Sequence, residues 1–262
     1  MSASCVQPQV CALCLQQKVL RKSHVLPNAV FRRIKRSQNS GQLIYLHDSE
    51  HAPIGRSQKS WWEHLLCASC EHIVGGYEAY GLSLIRESNR AQKQSDGVTF
   101  RNHDYARFKL FLLSVLWRSA VSQQPEFSKV VLPNQCKELA RTSLLGGRPL
   151  PPLRLGCKLL RMVDDTQQAD GGFSYENLEH LVISPIPRFR AESPKRTYVF
   201  LFEGFLLEYF VPTVPYKQSK SRGIHNDSPI VFVPFRSIFK IPEVVRLLVS
   251  AYGKHRHGVT RL

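Results

Sequence analysis

Two Cys-x-x-Cys pairs constrain the fold of this chain more than any other feature of its sequence. The pairs are Cys11 with Cys14 and Cys67 with Cys70. One such turn presents two thiolates to a metal ion, and a second turn brought back by the fold completes a closed tetrahedral site. Four sulfur ligands and no open position favour Zn²⁺ in a structural role. The sequence therefore predicts a Zn²⁺ ion that pins these two segments together.

Disulfide bonds and a chance pattern are the alternatives to a metal site. The chain has seven cysteines, and an odd number disfavours a complete set of disulfides. Residues 1–10 lack the basic start and apolar stretch of a secretory signal, so we expect a cytoplasmic location. In that reducing compartment such pairs bind metal more often than they form bridges. We expect Cys5, Cys136 and Cys157 to be ordinary small apolar residues.

The charge of the chain indicates an anionic partner. There are 36 Lys and Arg residues against 20 Asp and Glu residues, which gives a formal net charge of +16. Nucleic acid is the first choice, with DNA favoured over RNA, because basic residues that neutralise phosphates drive sequence-independent binding. An anionic membrane surface is the second choice, and a merely basic protein is the third. No uninterrupted apolar stretch is long enough to span a membrane, so we expect no insertion into one.

The pattern of elements predicts an α+β fold in two parts. We place a zinc-containing domain at 1–85, a polar linker at 86–103 and a domain of mixed helices and antiparallel strands at 104–262. Helices after which strands follow without regular alternation favour α+β over a wound parallel sheet. The second part has no assigned role and is a possible docking surface for a protein partner.

The individual elements follow from apolar periodicity and from breakers. Gly75-Gly76 weakens a helix over 71–85, and the polar stretch 37–59 favours a loop or loose hairpin. Clearer helices are predicted at 28–36, 104–121, 134–145 and 242–252. Strands are predicted at 158–163, 181–186, 197–210 and 230–235.

A histidine lies between the cysteine pairs, in the string Ser23-His24-Val25-Leu26-Pro27. The order Cys-x-x-Cys, Ser-His-Val-Leu-Pro, Leu-Leu-Cys-x-x-Cys resembles the HNH endonuclease family over residues 11–78. The resemblance implies a ββα-metal module in which the cysteines hold a structural zinc and His24 is the general base. It also implies a divalent ion, Mg²⁺ or Mn²⁺, that stabilises charge during phosphodiester hydrolysis.

The chain departs from the HNH pattern at the expected metal ligands. Ser23 stands where an acidic ligand is common, and the asparagine expected before Cys67 is absent. After the last cysteine come Glu71 and His72, with Glu78 two helical turns further on. We take Glu71, His72 and Glu78 as candidate ligands of the catalytic ion, since carboxylates suit Mg²⁺ and Mn²⁺. A solvated helix face is the alternative for each of them.

A basic cluster follows Pro27 on a short predicted helix. Its members are Arg32, Arg33, Lys35 and Arg36. Such a run is often just a solvated face. Next to a candidate phosphodiester site, it becomes a candidate clamp on the nucleic-acid backbone.

Three functions remain open from the sequence. The first is a divergent HNH-like metal-dependent endonuclease, for which the resemblance implies a role in restriction or anti-phage defence. The second is a non-catalytic zinc-ribbon module that binds nucleic acid or protein. The third is a partner subunit that docks through its second half. The sequence has no P-loop and no Gly-x-Ser-x-Gly elbow, which disfavours a P-loop nucleotide site and an α/β serine hydrolase.

Overall fold

The computed structural model describes residues 7–38, 41, 43–45, 54–57, 60–90, 95–166, 172–189, 195–257 and 260–261. The helices of this described part are α1 Asn28–Ser37, α2 Ala68–Arg90, α3 Tyr105–Val121, α4 Asn134–Gly146, α5 Tyr175–Glu179, α6 Tyr216–Ser219 and α7 Pro242–Arg256. The strands are β1 Gln9–Val10, β2 Gln17–Lys18, β3 Leu20–His24, β4 Leu43–Tyr45, β5 Ile54–Ser57, β6 Trp62–Cys67, β7 Gly97–Arg101, β8 Arg154–Val163, β9 Ile183–Phe189, β10 Arg196–Phe202, β11 Phe205–Thr213, β12 Ile230–Ser237 and β13 Thr260–Arg261.

A six-stranded sheet forms the body of the molecule, in the order β7-β12-β8-β11-β10-β9. The β12–β8 pair is parallel and the other neighbours are antiparallel. Smaller sheets pair β1 with β2, β3 with β6, and β5 with both β13 and β4. The predicted mixture of helices with antiparallel strands is confirmed, and the sheet also contains one parallel pair.

The scaffold of the candidate site is a strand pair followed at once by a helix. Strand β3 pairs antiparallel with β6, so that His24 lies opposite Trp62 and Leu20 lies opposite Cys67. Helix α2 begins at Ala68, directly after β6 ends. The second cysteine pair therefore lies next to the start of β3, beside the β1–β2 turn.

Helix α3 is the centre of the core. Its side chains are buried along most of its length, including Phe108, Phe111 and Trp117. Asp104 begins the helix by accepting a hydrogen bond from the Arg107 amide at 3.0 Å, which satisfies one of the unpaired N–H groups of the first turn. One continuous apolar cluster contains residues of the β1–β2 turn, α1, α2, α3 and the large sheet.

Two elements fall inside the predicted linker. Helix α2 continues to Arg90, and β7 pairs with β12 at the edge of the large sheet. The side chains of Val98 and Phe100 are buried there, which explains why the segment is ordered despite its polar sequence. Residues 91–94 of the predicted linker lie outside the described residues. The division of the chain into separate domains stays a prediction.

The predicted strand 197–210 is two strands joined by a tight turn. Glu203 and Gly204 have positive φ of 51° and 77°, and they connect β10 to β11 in a two-residue hairpin. Two positive φ values are the requirement of a type I′ turn, whose usual signal is Asn-Gly or Asp-Gly rather than Glu-Gly. Because the sequence is apolar on both sides of this turn, it was predicted as one continuous strand.

Helix α2 runs through Gly75-Gly76 without interruption. The space around both glycines is open, and a methyl group at either would meet nothing within 4 Å. Gly81, by contrast, lies against the Phe111 ring, which an added Cβ would approach to 2.2 Å. The glycine that matters for packing is therefore the third one in this helix, where α2 meets α3.

The predicted hairpin in residues 37–59 is present as β4 paired antiparallel with β5. The residues between these two strands lie outside the described ones. Among the described residues, no helix has both the length and the apolar character needed to cross a bilayer.

Candidate metal centre and adjacent histidine site

The four cysteines of the two pairs converge on one point. Cys11 and Cys14 lie in the turn between β1 and β2, Cys67 ends β6, and Cys70 lies in the first turn of α2. Their sulfur atoms all lie within 4.8 Å of one another, and the Cys14 and Cys67 sulfurs are 3.9 Å apart. Within the described ranges, this is the one group of three or more Cys, His, Asp or Glu residues close enough to share an ion.

The cluster fits Zn²⁺. With Zn–S bonds of about 2.3 Å, a tetrahedral ion separates its sulfurs by about 3.8 Å, close to the observed Cys14–Cys67 distance. Burial raises the pKa of Cys11 and of Cys70. Burial also raises the pKa of Cys67, but hydrogen bonds from Ser69 and from the Cys70 amide outweigh this effect, and the pKa falls to about 6. The residues present would therefore hold a zinc ion through four sulfurs, as the sequence predicted.

The surroundings of the sulfurs position the two turns. The Cys67 amide donates to the Cys11 sulfur at 3.3 Å, which joins the two pairs directly. Arg141 of α4 donates through Nη1 to the Leu13 carbonyl at 2.6 Å, inside the first Cys-x-x-Cys turn. The metal centre is thus supported from the second half of the chain. Supporting contacts of this kind fix the orientation of metal ligands.

The two other cysteines that the structure describes take no part in the cluster. Cys136 and Cys157 are buried free thiols. Cys5 lies outside the described residues.

His24 ends β3 and is half-buried. Its Nε2 lies 3.0 Å from the Ser60 hydroxyl, which fixes the ring at the end of the strand pair. Burial, together with the charges of Arg118, Lys35, Arg32 and Lys22, lowers the pKa of His24 to about 4. The imidazole is therefore neutral at pH 7 and lies in a strongly cationic setting.

Arg118 is the group that connects the parts of this site. It is 1% exposed although it lies on the apolar helix α3. It donates to the carbonyls of Ser114 and His24, and its Nη2 lies 2.5 Å from the Glu78 carboxylate. Its charge also lowers the pKa of Glu71. One buried guanidinium thus lies beside the histidine and both glutamates.

The three candidate ligands on α2 gain no further ligand among the described residues, and one of them is ion-paired. Glu78 is ion-paired with Arg118, and burial raises the pKa of Glu71, an effect that the Ser23 hydroxyl and Arg118 oppose. His72 is exposed, one position round the helix from Glu71. No described Cys, His, Asp or Glu completes a set of three with them. Because Glu78 pairs with a guanidinium, the described residues give no support for a catalytic Mg²⁺ or Mn²⁺ ion here, and the assignment of Glu71, His72 and Glu78 as its ligands stays a prediction.

Ser23, just before His24, makes a structural contact between the two strands. Its side chain is fully buried, and its hydroxyl accepts a hydrogen bond from the Leu66 amide at 3.0 Å. This contact joins β3 to β6 and leaves the serine in a structural role.

The basic cluster on α1 divides into two kinds of residue. Arg33 forms ion pairs with Glu179 and Glu203, and its side chain is 34% exposed. Arg32 and Arg36 are exposed, and Lys35 is half-buried. Arg32 and Lys35 are both close enough to His24 to lower its pKa. The buried residues of the helix, Val30, Phe31 and Ile34, hold the opposite face against the core.

Sequence reasoning missed the long-range partners of the site. Arg118, Arg141 and Ser60 lie far from the residues they support. Arg118 alone left a signal, because a charged residue inside the apolar surface of a core helix needs a buried partner. Nothing in the sequence indicates that this partner is Glu78.

A comparison of the chain with protein-family models, with curated proteins and with solved structures finds no match. The resemblance to HNH endonucleases therefore rests on the motifs of residues 11–78.

Proposed function

We propose that this chain is a divergent HNH-like hydrolase of nucleic-acid phosphodiesters, with a zinc-pinned ββα module as its scaffold and His24 as its general base. The observation that carries the proposal is the position of His24 at the end of β3, 3.0 Å from the Ser60 hydroxyl and among the positive charges of Arg118, Lys35, Arg32 and Lys22. A base beside several cations is the arrangement that a phosphodiester requires, because the cations bind the phosphate and the base activates water.

The step itself needs only groups that this site supplies or water provides. A phosphate oxygen binds the exposed cations Lys22 and Arg32, and His24 accepts a proton from the attacking water as its oxygen bonds to phosphorus. The bond from phosphorus to the leaving nucleoside oxygen breaks, and that oxygen takes a proton from solvent. The phosphate charge also raises the pKa of His24 from its low value, which makes the imidazole a better base when substrate is bound.

Arg118 contributes charge without contacting the substrate. It is buried, so it acts on the reacting phosphate through its field and by holding the His24 carbonyl. The described residues give no support for a catalytic divalent ion, and this step proceeds without one. Cys11, Cys14, Cys67 and Cys70 would hold a zinc ion that ties β6, α2 and the β1–β2 turn together and so keeps His24 in place.

The surface around His24 suits a nucleic acid. The Lys22 ammonium lies 4.4 Å from the centre of the Trp62 ring, on the strand opposite His24. Trp62 is 39% exposed. An exposed aromatic ring with an adjacent cation is a platform for a stacked base and its phosphate.

Cleavage of plasmid DNA and of structured RNA by the purified zinc-loaded protein tests the proposal. Wild type is compared with His24→Ala and with His255→Ala, which alters an exposed histidine on α7. We expect cleavage by wild type and by the His255 variant, and a loss of at least about 100-fold in the His24 variant. Arms with and without added Mg²⁺ or Mn²⁺ decide separately whether a divalent ion contributes. Equal cleavage by all three proteins would contradict the proposal.

The second candidate is a zinc-pinned module that binds nucleic acid without cleaving it. The ion pair of Arg118 with Glu78 favours it, because this pair neutralises a carboxylate that a hydrolytic metal would use. Salt-sensitive binding by wild type and by His24→Ala, with no cleavage by either, would support this candidate. A role in anti-phage defence stays a prediction from the resemblance.

A further inference from the structure

A cleft of about 630 Å³ lies between α1, α2 and α5. Its lining combines five arginines with two glutamates, an asparagine and a tyrosine: Arg32, Arg33, Arg36, Arg86, Arg90, Glu176, Glu179, Asn89, Tyr175 and also Ala29. The lining therefore has an excess of three positive charges. A concave site of this size suits a ligand the size of one or two nucleotides.

The floor of the cleft is a buried ion-pair network that fixes two of the arginines. Glu203, whose side chain is 1% exposed, pairs with both Arg33 and Arg86. Glu179 pairs with Arg33 and with the fully buried Arg161 at 2.9 Å. These contacts attach α1 and α2 to the β10–β11 turn and to α5. They hold the cleft open in a defined shape while they neutralise its innermost charges.

The rim of the cleft carries the charges that remain. Arg32, Arg36 and Arg90 are exposed, and none of them forms an ion pair with a described carboxylate. Three exposed guanidiniums that lack a described carboxylate partner, around a preformed concavity, attract phosphate groups, which arginine binds in a forked geometry. Tyr175 adds an aromatic surface on the same cleft, 37% exposed, on which a base can stack.

The cleft and the His24 site are joined by α1. Arg32 lines the cleft and is also close enough to His24 to lower its pKa. Lys35, one turn along, likewise acts on His24. A chain of phosphates lying in the cleft can therefore continue along α1 to the histidine.

We infer that this cleft binds the sugar-phosphate backbone of a nucleic-acid strand and feeds that strand to His24. The inference rests on the proposed function for the second part of this statement, and on the cleft alone for the first. A free nucleoside polyphosphate has the same phosphate chemistry, and the experiment separates the two sources.

Fluorescence anisotropy with a labelled single-stranded oligonucleotide of 12 nucleotides tests the inference. The variants are Arg36→Glu and Arg90→Glu at the rim, with Arg148→Glu as a control of equal charge change at an exposed arginine outside the cleft. We expect each rim variant to weaken binding by about 10-fold or more and the control by less than about 3-fold, with a smaller salt dependence for the rim variants alone. Melting temperature and zinc content verify that each variant is folded.

Three results would overturn the inference. Equal weakening by the control and the rim variants would show that general charge, and not the cleft, attracts the strand. Displacement of the oligonucleotide by millimolar nucleoside triphosphate, with only the triphosphate sensitive to Arg36 and Arg90, would assign the cleft to free nucleotides. No binding by the wild-type protein at low salt would also overturn it.

The same variants separate the cleft from the proposed function. Cleavage that depends on His24 but is unchanged in Arg36→Glu and Arg90→Glu would contradict the cleft and leave the hydrolase standing. Strand binding that depends on the rim, without any cleavage, would leave the cleft standing and contradict the hydrolase.

Discussion

The four-cysteine centre and the His24 site lie on the same strand pair and helix, yet they are completed in different ways. The metal centre takes all four ligands from two short motifs, and these ligands converge within 4.8 Å. The His24 site takes its central charge from Arg118, which is 94 residues further along the chain. Local spacing therefore determines the first site, whereas the packing of α3 determines the chemistry of the second.

Loss of zinc has the largest expected effect on stability. It tests whether the His24 site depends on the four-cysteine centre. Cys67→Ala removes a ligand at the junction of β6 and α2, and we expect the loss of one zinc ion per chain. Structural zinc sites contribute roughly 10 kcal/mol of apparent binding free energy in small modules. Metal analysis and thermal unfolding measure the outcome. Cys136→Ala is the control, since that buried thiol is outside the cluster and should retain the zinc.

Removal of Arg118 tests whether the second site depends on a distant partner. Arg118→Met leaves Glu78 without its cation and the His24 carbonyl without its donor, so we expect a loss of about 3 kcal/mol in unfolding free energy. The double variant Arg118→Met with Glu78→Gln should recover part of this loss. Denaturant unfolding of wild type, of Arg118→Met, of Glu78→Gln and of the double variant gives the coupling energy. Additive losses would show that the pair does not stabilise the site.

Gly81 tests the packing that brings Arg118 to the site. Gly81→Ala places a methyl group 2.2 Å from the Phe111 ring, and separating α2 from α3 should cost about 1–3 kcal/mol. Gly76→Ala, in open space on the same helix, should instead stabilise the protein by about 0.5–1 kcal/mol. Chemical denaturation compares the two. A loss from Gly76→Ala equal to that from Gly81→Ala would contradict the assigned contact.

The acid side of the stability profile tests whether His24 is desolvated by its surroundings. The pKa of His24 is about 4 in the folded state, and the ordinary value of about 6.5 applies when the chain unfolds. The unfolded chain therefore binds the extra proton between these values, so stability falls as pH falls from about 6.5 to about 4 and is unaffected by this residue above that range. His24→Gln should flatten this part of the curve. An unchanged slope would show that His24 is not desolvated.

The elements and the metal centre were predictable because their signals are local. Asp104 and the apolar spacing of residues 105–121 indicate α3, and the two Cys-x-x-Cys turns indicate the zinc ligands. The turn at Glu203-Gly204 was missed because the apolar run continues on both sides of it. The strand Gly97–Arg101 was missed because its partner, β12, is more than a hundred residues away.

The surroundings of the candidate catalytic ligands also could not be predicted from the sequence. Glu71, His72 and Glu78 follow a cysteine pair as the ligands of an HNH site would, and helical spacing alone permits Glu71 and Glu78 to share a face. Helix α3 packs against that face and places Arg118 beside Glu78. The ion-pair network of Glu179 and Glu203 likewise cannot be read from the sequence, since its five members come from three helices, one strand and one turn.

The most direct test of the account is the pKa of His24 in the presence of a nucleic-acid strand. Imidazole NMR signals are titrated with pH, first for the zinc-loaded protein alone and then with a phosphorothioate oligonucleotide that resists cleavage. We predict that the pKa rises from about 4 when the strand binds, because a phosphate beside the imidazole offsets the charges of Arg118, Lys35, Arg32 and Lys22. Binding of the strand with an unchanged pKa of His24 would show that no phosphate reaches the histidine and would contradict the account.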